Sequence, residues 1–348
     1  MSKLRIAVIG VGLGGKTHIR LMESSTSAVL VSIVAPDNVK NHAYAQQHNV
    51  PMYFTIEECL KSRAVDGVII ASPNQLHYQQ AEVCINHGVP VLIEKPVTST
   101  VHEGNSLLQL VESNNAKVLV GHHRAHNPIL KAAGQVVRSG SLGKLVSFMG
   151  SAQFYKPAHY YDDGPWRKVI GGGPILINMI HEIDNMRRLM GDIVAVHAIT
   201  SNSIRKFVVE DTVAINLVFA NGALGTFILS DTSAIAMSWE QTSGENPGYP
   251  SYRDEDCYFI AGTRGSLAIP TMRMKYYADD ITPSWWNTFT EEQINVSTLD
   301  PLAIQLEHFM DVIRDNVAPL VTVEDGYRNL LVTEAIRKSA TTKSIVEV

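Results

Sequence analysis

Cysteine is scarce in this sequence, and an excess of positive charge is missing. The three cysteines, Cys59, Cys84 and Cys257, are an odd number without Cys-x-x-Cys spacing. This argues against a disulfide framework or a zinc ribbon and fits a reducing compartment. The formal net charge is −5 and lysine and arginine are not clustered, so we expect no nucleic-acid partner.

Long apolar runs are missing as well. No stretch approaches the ~20 apolar residues of a membrane span, and the apolar run before Gly10 is too short for the core of a signal peptide. We therefore expect a cytoplasmic protein with no membrane partner. A chain of 348 residues is long for one hydrophobic core, so two domains are expected.

A glycine-rich turn follows the first apolar run. The segment LRIAVIGVGLGG, which starts at Leu4, contains a G-x-G-x-x-G pattern formed by Gly10, Gly12 and Gly15. In this context Gly10 allows a tight turn, Gly12 lets the backbone approach a pyrophosphate, and Gly15 lets a helix pack on the strand. The free N–H groups where the helix starts, from Leu13 onward, would face the phosphates. The pattern predicts a dinucleotide cofactor.

Up to Gly121, short apolar runs alternate with amphipathic stretches, a pattern typical of a parallel sheet covered by helices on both faces. We predict an α/β fold with a doubly wound Rossmann domain over residues 1–121 and a second α/β domain over residues 122–348. Six strands are expected in the first domain: Ile6–Ile9, Val29–Val34, Met52–Phe54, Gly67–Ala71, Val89–Ile93 and Lys117–Val120. In the second domain, Pro174 in a first turn predicts one helix over Ile175–Met190.

The residues after the second strand bear on the choice between NAD and NADP. An acidic residue that binds the adenosine ribose of NAD is expected near Ala35. Asp37 could reach the ribose hydroxyls, or it could be a plain turn residue. No arginine is present there for a 2′-phosphate, although Lys40 lies near. NAD is favoured, and NADP stays possible.

Two further turns are expected beside the cofactor, because ligands of open parallel sheets bind at the carboxyl ends of the strands. They follow the fourth and fifth strands and contain Ser72, Pro73, Asn74 and His77, then Glu94 and Lys95. A lysine in a turn is usually a solvated surface charge. Its position at a strand's carboxyl end favours a functional role for Lys95.

The G-x-G-x-x-G turn, Ser72-Pro73 with His77, and Glu94-Lys95-Pro96 together resemble the Gfo/Idh/MocA oxidoreductase family. The resemblance continues at Gly171–Gly173, His181-Glu182-Ile183-Asp184, Asp325-Gly326, Ala335 and Ser339. It implies a Rossmann domain followed by an α/β domain with an open, largely antiparallel sheet, and a homodimer or homotetramer. It also implies a dehydrogenase or reductase acting on a sugar, cyclitol, sugar acid or related cyclic diol.

Three histidines within five residues, His122, His123 and His126, raise the alternative of a metal site. Gly121 and Pro128 indicate a loop instead, no aspartate or cysteine nearby completes a ligand set, and the family is not metal-dependent. We expect no metal, and we place His123 beside the nicotinamide and the substrate.

The loop between Tyr155 and Lys168 is rich in aromatic and charged residues and is interpreted as a substrate-facing wall. Its expected substrate contacts are Tyr155, Lys156, Trp166 and Arg167. Lys156 and Arg167 could hold a carboxylate, with a plain surface position as the alternative.

His181 matches the proton-transfer histidine of the family it resembles. Asp184 could orient the His181 ring, and Asn178, three residues earlier, is an expected substrate contact. Ile177 stands where many members carry an aspartate. Lys95 and His181 would therefore carry the acid–base work, with help from Asn178.

Two alternatives stay open. An NAD-dependent glycosidase of the same fold would keep the same lysine and histidine, whereas a non-catalytic dinucleotide sensor would need neither. The presence of both Lys95 and His181 argues against the sensor.

Overall fold

A computed structural model describes residues 2–348. The chain divides into two compact units. One takes the chain up to His123 together with Pro301–Leu330, and the other takes Arg124–Asp300 together with Leu331–Val348. The expected boundary between residues 121 and 122 lies next to this division. Residues 301–330 belong to the first unit, although the sequence interpretation had assigned them to the second domain.

The first unit contains a six-stranded parallel sheet in the order β3-β2-β1-β4-β5-β6. Its inner strands are buried apolar runs, as expected for a sheet covered on both faces. The predicted doubly wound Rossmann sheet is confirmed. Its strands are β1 (Leu4–Ile9), β2 (Ala28–Val34), β3 (Met52–Tyr53), β4 (Gly67–Ile70), β5 (Val91–Ile93) and β6 (Val118–Val120).

Helices alternate with these strands. They are α1 (Leu13–Ser24), α2 (Val39–Gln47), α3 (Ile56–Ser62), α4 (His77–Asn86) and α5 (Val101–Asn114). Side-chain caps begin several of them: the Asn38 side chain accepts from the Asn41 N–H at α2, and Thr100 forms a capping box with Glu103 at α5. These caps fix where the helices start behind the sheet edge.

The second unit is built on a ten-stranded sheet in the order β15-β14-β13-β12-β7-β10-β9-β8-β16, with β11 paired to β7. Strands β7 and β10 pair in parallel, and the other strand pairs of this sheet are antiparallel. The expected largely antiparallel sheet is confirmed. Its strands are β7 (Leu145–Tyr155), β8 (Ile193–Ser201), β9 (Thr212–Phe219), β10 (Leu224–Ser230), β11 (Thr232–Met237), β12 (Tyr258–Gly262), β13 (Gly265–Ile269), β14 (Arg273–Tyr276), β15 (Thr290–Gln293) and β16 (Val346–Glu347).

The helices of the second unit are α6 (Pro128–Ser139), α7 (Ala158–Asp162), α8 (Ile180–Met190) and α9 (Trp239–Thr242). The predicted helix over Ile175–Met190 is present and continuous, but its first five residues, Ile175–Met179, form a π-helical turn before α8. Apolar spacing does not reveal this, since both helix types bury Ile175 and Met179. Such π-helical turns are frequent at functional sites.

Two long helices precede the last strand, β16: α10 (Pro301–Ile313) and α11 (Val323–Thr342). Helix α10 packs on the first unit so closely that a Cβ on Gly67 would lie 2.6 Å from Ile313 Cδ1. In α11, a Cβ on Gly326 would lie 3.0 Å from Val97 Cβ, and the Ser339 hydroxyl accepts a hydrogen bond from the Ala198 N–H. Residues that suggested the family resemblance thus have packing roles.

The cysteines are buried and free. Burial raises the pKa of Cys84 to about 12, so its thiol stays protonated at neutral pH. Within residues 2–348, histidine, cysteine and acidic side chains form no group of three suited to a metal ion. In the same range, no helix combines the length and the apolar character that crossing a membrane requires.

Candidate active site

The glycine turn after β1 is packed so tightly that side chains are excluded from two of its positions. Gly10 has φ +86°, and a Cβ there would lie 2.7 Å from the Ala71 carbonyl oxygen. A Cβ on Gly15 would lie 1.9 Å from the Gly10 carbonyl oxygen. At Gly12 nothing lies within 4 Å of the Cβ position, so this stretch of backbone is open to a ligand.

Helix α1 begins at Leu13 with an N-terminus suited to an anion. Gly12 provides no side-chain cap, and the first turn contains no acidic residue. The first N–H groups and the positive end of the helix dipole are therefore available to a phosphate. The residues of this turn fit a dinucleotide pyrophosphate.

Asp37 lies in an exposed turn beyond the carboxyl end of β2. Its Oδ1 is 2.8 Å from His42 Nε2, and both side chains are more than half exposed. Ala35, where the ribose-binding acid was expected, is buried. The structure thus leaves Asp37 at the surface next to the predicted cofactor edge, and its contact with the ribose stays a prediction.

His77 links the turns that follow β4 and β5. Its ring is buried, with Nδ1 2.9 Å from the Pro96 carbonyl oxygen and Nε2 3.0 Å from the Ser72 carbonyl oxygen. Burial lowers the pKa of His77, which favours the neutral ring with one N–H donor. This geometry supports an indirect role, in which His77 holds the turns that the cofactor would contact.

Glu94 and Lys95 follow β5, and the peptide bond between Lys95 and Pro96 is cis. Glu94 Oε1 lies 2.8 Å from Nε2 of His18, which is buried on α1. Burial alone would raise the pKa of Glu94, but the contact with His18 and the positive charges of His18, Lys95 and His123 hold it at about 2. An ionised carboxylate therefore lies beside Lys95, with His123 in the same neighbourhood.

Our reading of the sequence missed His18. It lies on the buried face of α1 together with Gly15, Ile19 and Met22. A histidine at a core position of the helix that follows a dinucleotide turn is the signal that could have identified it, because a buried imidazole needs a polar partner.

The π-helical turn before α8 contains Ile177 and Asn178, and α8 contains His181. Lys156 Nζ donates a hydrogen bond of 2.7 Å to Asn178 Oδ1. His181 is 8% exposed, and Asp184 Oδ2 accepts a hydrogen bond from Arg188 Nε. The structure thus joins two predicted substrate contacts, Lys156 and Asn178, directly before the helix that carries His181.

Two cations of the loop predicted as a substrate-facing wall lie against the ring of Tyr160. The Arg167 guanidinium lies 3.9 Å from the Tyr160 ring centroid and also donates to the Tyr160 carbonyl, and Lys156 Nζ lies 4.9 Å from the same ring. Tyr155 and Trp166 are more than half exposed. The four wall residues predicted from the sequence, Tyr155, Lys156, Trp166 and Arg167, therefore belong to one continuous segment around Tyr160.

A buried ion pair holds this segment in place. Arg205 Nε donates to Asp231 Oδ1 over 2.7 Å, and its Nη2 donates to the Lys156 carbonyl oxygen over 2.8 Å. The Tyr161 hydroxyl donates to the same carboxylate. The backbone of Lys156 is thereby fixed, while its side chain points elsewhere, to Asn178.

A buried charge network absent from our sequence interpretation surrounds Arg124. The guanidinium donates to Glu182 Oε1 over 2.5 Å and to Glu240 Oε1 over 2.7 Å, and its Nε lies 3.9 Å from Glu245 Oε1. The Tyr258 hydroxyl also donates to Glu182. One cation thus serves three carboxylates, and one of these, Glu182, follows His181 directly in the chain.

The pKa of Glu182 in this network is raised, first by burial and then by a neighbouring carboxylate. Burial, and then the neighbouring Glu240, raise the pKa of Glu182 to about 7, although Arg124 and Tyr258 favour its charged form. Glu245 is further held by Trp239 Nε1 at 2.8 Å and by Asn127 Nδ2 at 2.9 Å. The network therefore connects four separate chain segments around the start of α8.

Comparisons with known proteins agree with this description. Residues 4–122 match a family described as "Oxidoreductase family, NAD-binding Rossmann fold", and residues 130–268 match "GFO/IDH/MocA C-terminal domain". The two matches together cover most of the chain.

Relatives with assigned activities span almost the whole chain. A 1,5-anhydro-D-fructose reductase of Ensifer adhaerens is 25% identical over 93% of this chain and 92% of its own. A scyllo-inositol 2-dehydrogenase (NAD(+)) of Bacillus subtilis is 25% identical over 97% and 94%. The crystal structure of an Agrobacterium radiobacter oxidoreductase in complex with NAD+, L-tartaric acid and magnesium has a TM-score of 0.82 at 18% identity, covering 99% of this chain and 98% of its own. At that identity the likeness concerns the fold.

Proposed function

The chain belongs to the Gfo/Idh/MocA family and carries its NAD-binding Rossmann domain, and from this premise we propose a dehydrogenase or reductase that transfers hydride between NAD(P) and a secondary alcohol or ketone carbon. The substrate is a sugar, cyclitol, sugar acid or related cyclic diol. Support for this class comes from relatives named for an anhydro sugar and an inositol.

The cofactor would lie along the carboxyl edge of the first unit's sheet. Its pyrophosphate would meet the backbone of the glycine turn and the start of α1. We assign the ribose to Asp37, which favours NAD, and the nicotinamide to the turns after β4 and β5. When bound, the cofactor supplies the hydride acceptor or donor at nicotinamide C4. The proposed contacts are Gly10, Gly12, Leu13, Gly15, Asp37, Ser72, Pro73, Asn74, Glu94 and Lys95, and His77 acts indirectly by holding the two turns.

Lys95 and His181 are the proposed acid–base pair. In the oxidation direction, a ring nitrogen of His181 accepts the proton of the substrate hydroxyl, while Lys95 Nζ donates a hydrogen bond to the same oxygen and stabilises its developing negative charge. In reduction, His181 returns the proton. Ile177 supplies no carboxylate, so the Asn178 amide orients the substrate together with His123, Tyr155 and Trp166.

The contact between His18 and Glu94 is the observation that carries this proposal. It connects the helix that follows the phosphate-binding turn to the turn that holds Lys95, over 2.8 Å. A solvated surface lysine would need no partly buried, ionised carboxylate beside it. A lysine whose ammonium must face a developing oxyanion gains position and charge stabilisation from such a neighbour.

An assembly of two or four copies is part of the proposal. The strands of the second unit's sheet expose large apolar side chains, among them Met149, Ile199 and Leu224, each more than half exposed. Apolar sheet surface of this kind is typical of interfaces between copies. Light scattering on the purified protein would report the assembly size.

The function is tested by following the absorbance of reduced nicotinamide with NAD and NADP in parallel, against polyols, aldoses, sugar acids and carboxylated cyclic diols. Reduced nicotinamide formed with one substrate group is the expected result. Cleavage of a glycoside with retained cofactor and no net reduction would instead identify an NAD-dependent glycosidase. Cofactor binding without turnover, unaffected by Lys95→Ala, would identify a sensor.

A further inference from the structure

Two cations of the loop between Tyr155 and Lys168 lack a carboxylate. Within residues 2–348, no carboxylate oxygen lies within 4.0 Å of Lys156 Nζ or of the Arg167 guanidinium. Lys168, in the same loop, is paired with Asp162 at 2.9 Å, and Arg205, which holds the loop, is paired with Asp231 at 2.7 Å. In this loop, Lys156 and Arg167 therefore differ from Lys168 in having no carboxylate in direct contact, although Asp231 and Glu240 act on Lys156 from a greater distance.

Both unpaired cations are held by the fold, and neither is a mobile surface side chain. Lys156 Nζ donates to Asn178 Oδ1 and lies near the rings of Phe154 and Tyr160. Arg167 stacks on Tyr160, and its Nε is buried without a hydrogen-bond acceptor. Holding cations in partly buried positions without a directly paired carboxylate is costly, so an anionic group that arrives with a ligand would stabilise this arrangement.

Space is reserved for one of these cations. A Cβ on Gly164 would lie 2.8 Å from Arg167 Cζ, although Gly164 has φ −145°, which any residue can adopt. A side chain at Gly164 would therefore crowd the Arg167 guanidinium, whereas the backbone conformation at this position does not require glycine.

We infer that Lys156 and Arg167 bind a carboxylate of the substrate, so that the substrate class narrows to sugar acids and carboxylated cyclic diols. This inference rests on the proposed function. The side-chain contact from Lys156 to Asn178 leads to the turn directly before the helix of His181. Ile177 in that turn supplies no carboxylate to pair with either cation, and the exposed faces of Tyr155 and Trp166 offer apolar surface to a ring.

Because Lys156 must be charged to bind a carboxylate, binding of a carboxylated substrate should weaken at high pH. Burial lowers its pKa to about 8; the charges of Arg205 and Arg167 act in the same direction, while Asp231 and Glu240 oppose it. A bound carboxylate favours the charged lysine, so KM for a carboxylated substrate should rise as the pH exceeds about 8. In Lys156→Arg, which stays charged, that rise should disappear.

The test uses matched substrates: D-glucose against D-glucuronate, D-galactose against D-galacturonate, and cis-cyclohexane-1,2-diol against its 4-carboxylate. Wild type should prefer the carboxylated member of the pair it accepts. In Lys156→Gln, that preference in kcat/KM should fall by at least about tenfold, and Lys156→Arg should restore most of it. Lys168→Gln, which removes a paired cation of the same loop, should leave both activity and preference unchanged.

Failure of the inference and failure of the proposed function are distinguishable. Turnover of a neutral member as good as that of its carboxylated partner, or a preference unchanged by Lys156→Gln, overturns the inference and leaves the oxidoreductase function standing. If no pair is turned over, the proposed function fails for this panel, and calorimetric titration with D-glucuronate, D-galacturonate and the cyclohexanediol carboxylate decides the inference. Binding that Lys156→Gln abolishes supports it, and no binding of any carboxylate overturns it.

Discussion

The Arg124 guanidinium donates a 2.5 Å hydrogen bond to the Glu182 carboxylate at a site where the Glu182 side chain is fully buried. Arg124 lies at the start of the second unit, and Glu182 lies directly after His181 on α8. Because a helix is rigid over one turn, a contact that fixes Glu182 also fixes the direction in which α8 presents its first residues. The ion pair is therefore a support for the proposed proton-transfer residue.

Replacing Arg124 with methionine should destabilise the protein by about 3–5 kcal/mol, because Glu182, Glu240 and Glu245 would then lie close together without a cation. Urea unfolding followed by circular dichroism measures the change. Arg328→Met provides the control, since its ion pair with Glu324 is exposed and should contribute less than about 1 kcal/mol. Equal effects of the two substitutions would contradict a supporting role for Arg124.

Glu182→Gln should change how stability depends on pH. Folding raises the pKa of Glu182 from its ordinary 4.5 to about 7, so the folded state holds this proton more tightly than the unfolded state. The stability that this provides is full below pH 4.5 and is lost as the pH rises through about 7, up to about 3 kcal/mol.

Glutamine imitates the protonated Glu182 carboxyl but does not titrate. As the pH rises from 5 to 8, through the folded-state pKa of Glu182, the Glu182→Gln variant should therefore lose less stability than wild type. The measurement is the free energy of unfolding in urea at several pH values across this range. Glu324→Gln, at an exposed position, is the matched control and should keep the wild-type slope. Parallel curves for wild type and Glu182→Gln would show that Glu182 does not titrate there.

The Rossmann half was predictable because its signals are local. Strands buried on both faces appear as short apolar runs, and the glycine turn requires glycine through contacts made within the turn itself, as between Gly15 and Gly10. The position of Lys95 at the end of β5 could be predicted for the same reason, since the chain order alone locates the end of a parallel strand.

The support around His181 was not predictable from such patterns. Arg124, Glu182, Glu240 and Tyr258 come from four distant segments, and a charged residue in a sequence is read as a surface residue because most are. The π-helical turn at Ile175–Met179 was hidden for a different reason, since its apolar residues also satisfy the spacing of an ordinary helix. Both the pairing of distant charged residues and the π-helical geometry therefore became visible only in the three-dimensional structure.

Alanine at Gly12 and at Gly15 should separate cofactor binding from folding. A Cβ on Gly12 meets nothing within 4 Å, so Gly12→Ala should fold with nearly unchanged thermal stability. It should bind NADH at least about tenfold more weakly, because the methyl group occupies the approach to the pyrophosphate. Gly15→Ala should unfold at a lower temperature, because its Cβ would lie 1.9 Å from the Gly10 carbonyl oxygen.

The thermal midpoint and a NADH fluorescence titration measure the two effects. Gly88→Ala is a control for the loss of a glycine, because it too has open space around its Cβ position, although its φ of +68° adds a modest strain. Gly88→Ala should retain NADH affinity. Unchanged NADH affinity in Gly12→Ala would argue against a pyrophosphate at this turn.

Lys95→Ala should lower kcat by at least about 100-fold, because the developing charge on the substrate oxygen loses its positioned donor. Affinity for NADH should change little, since the glycine turn and the start of α1 remain intact. Lys61→Ala, which removes an exposed lysine at the end of α3, should keep wild-type turnover. Steady-state kinetics with the accepted substrate and NADH titration test both parts. Near-normal turnover in Lys95→Ala would refute the acid–base assignment, whereas loss of NADH binding would mean that Lys95 serves the cofactor and not the substrate oxygen.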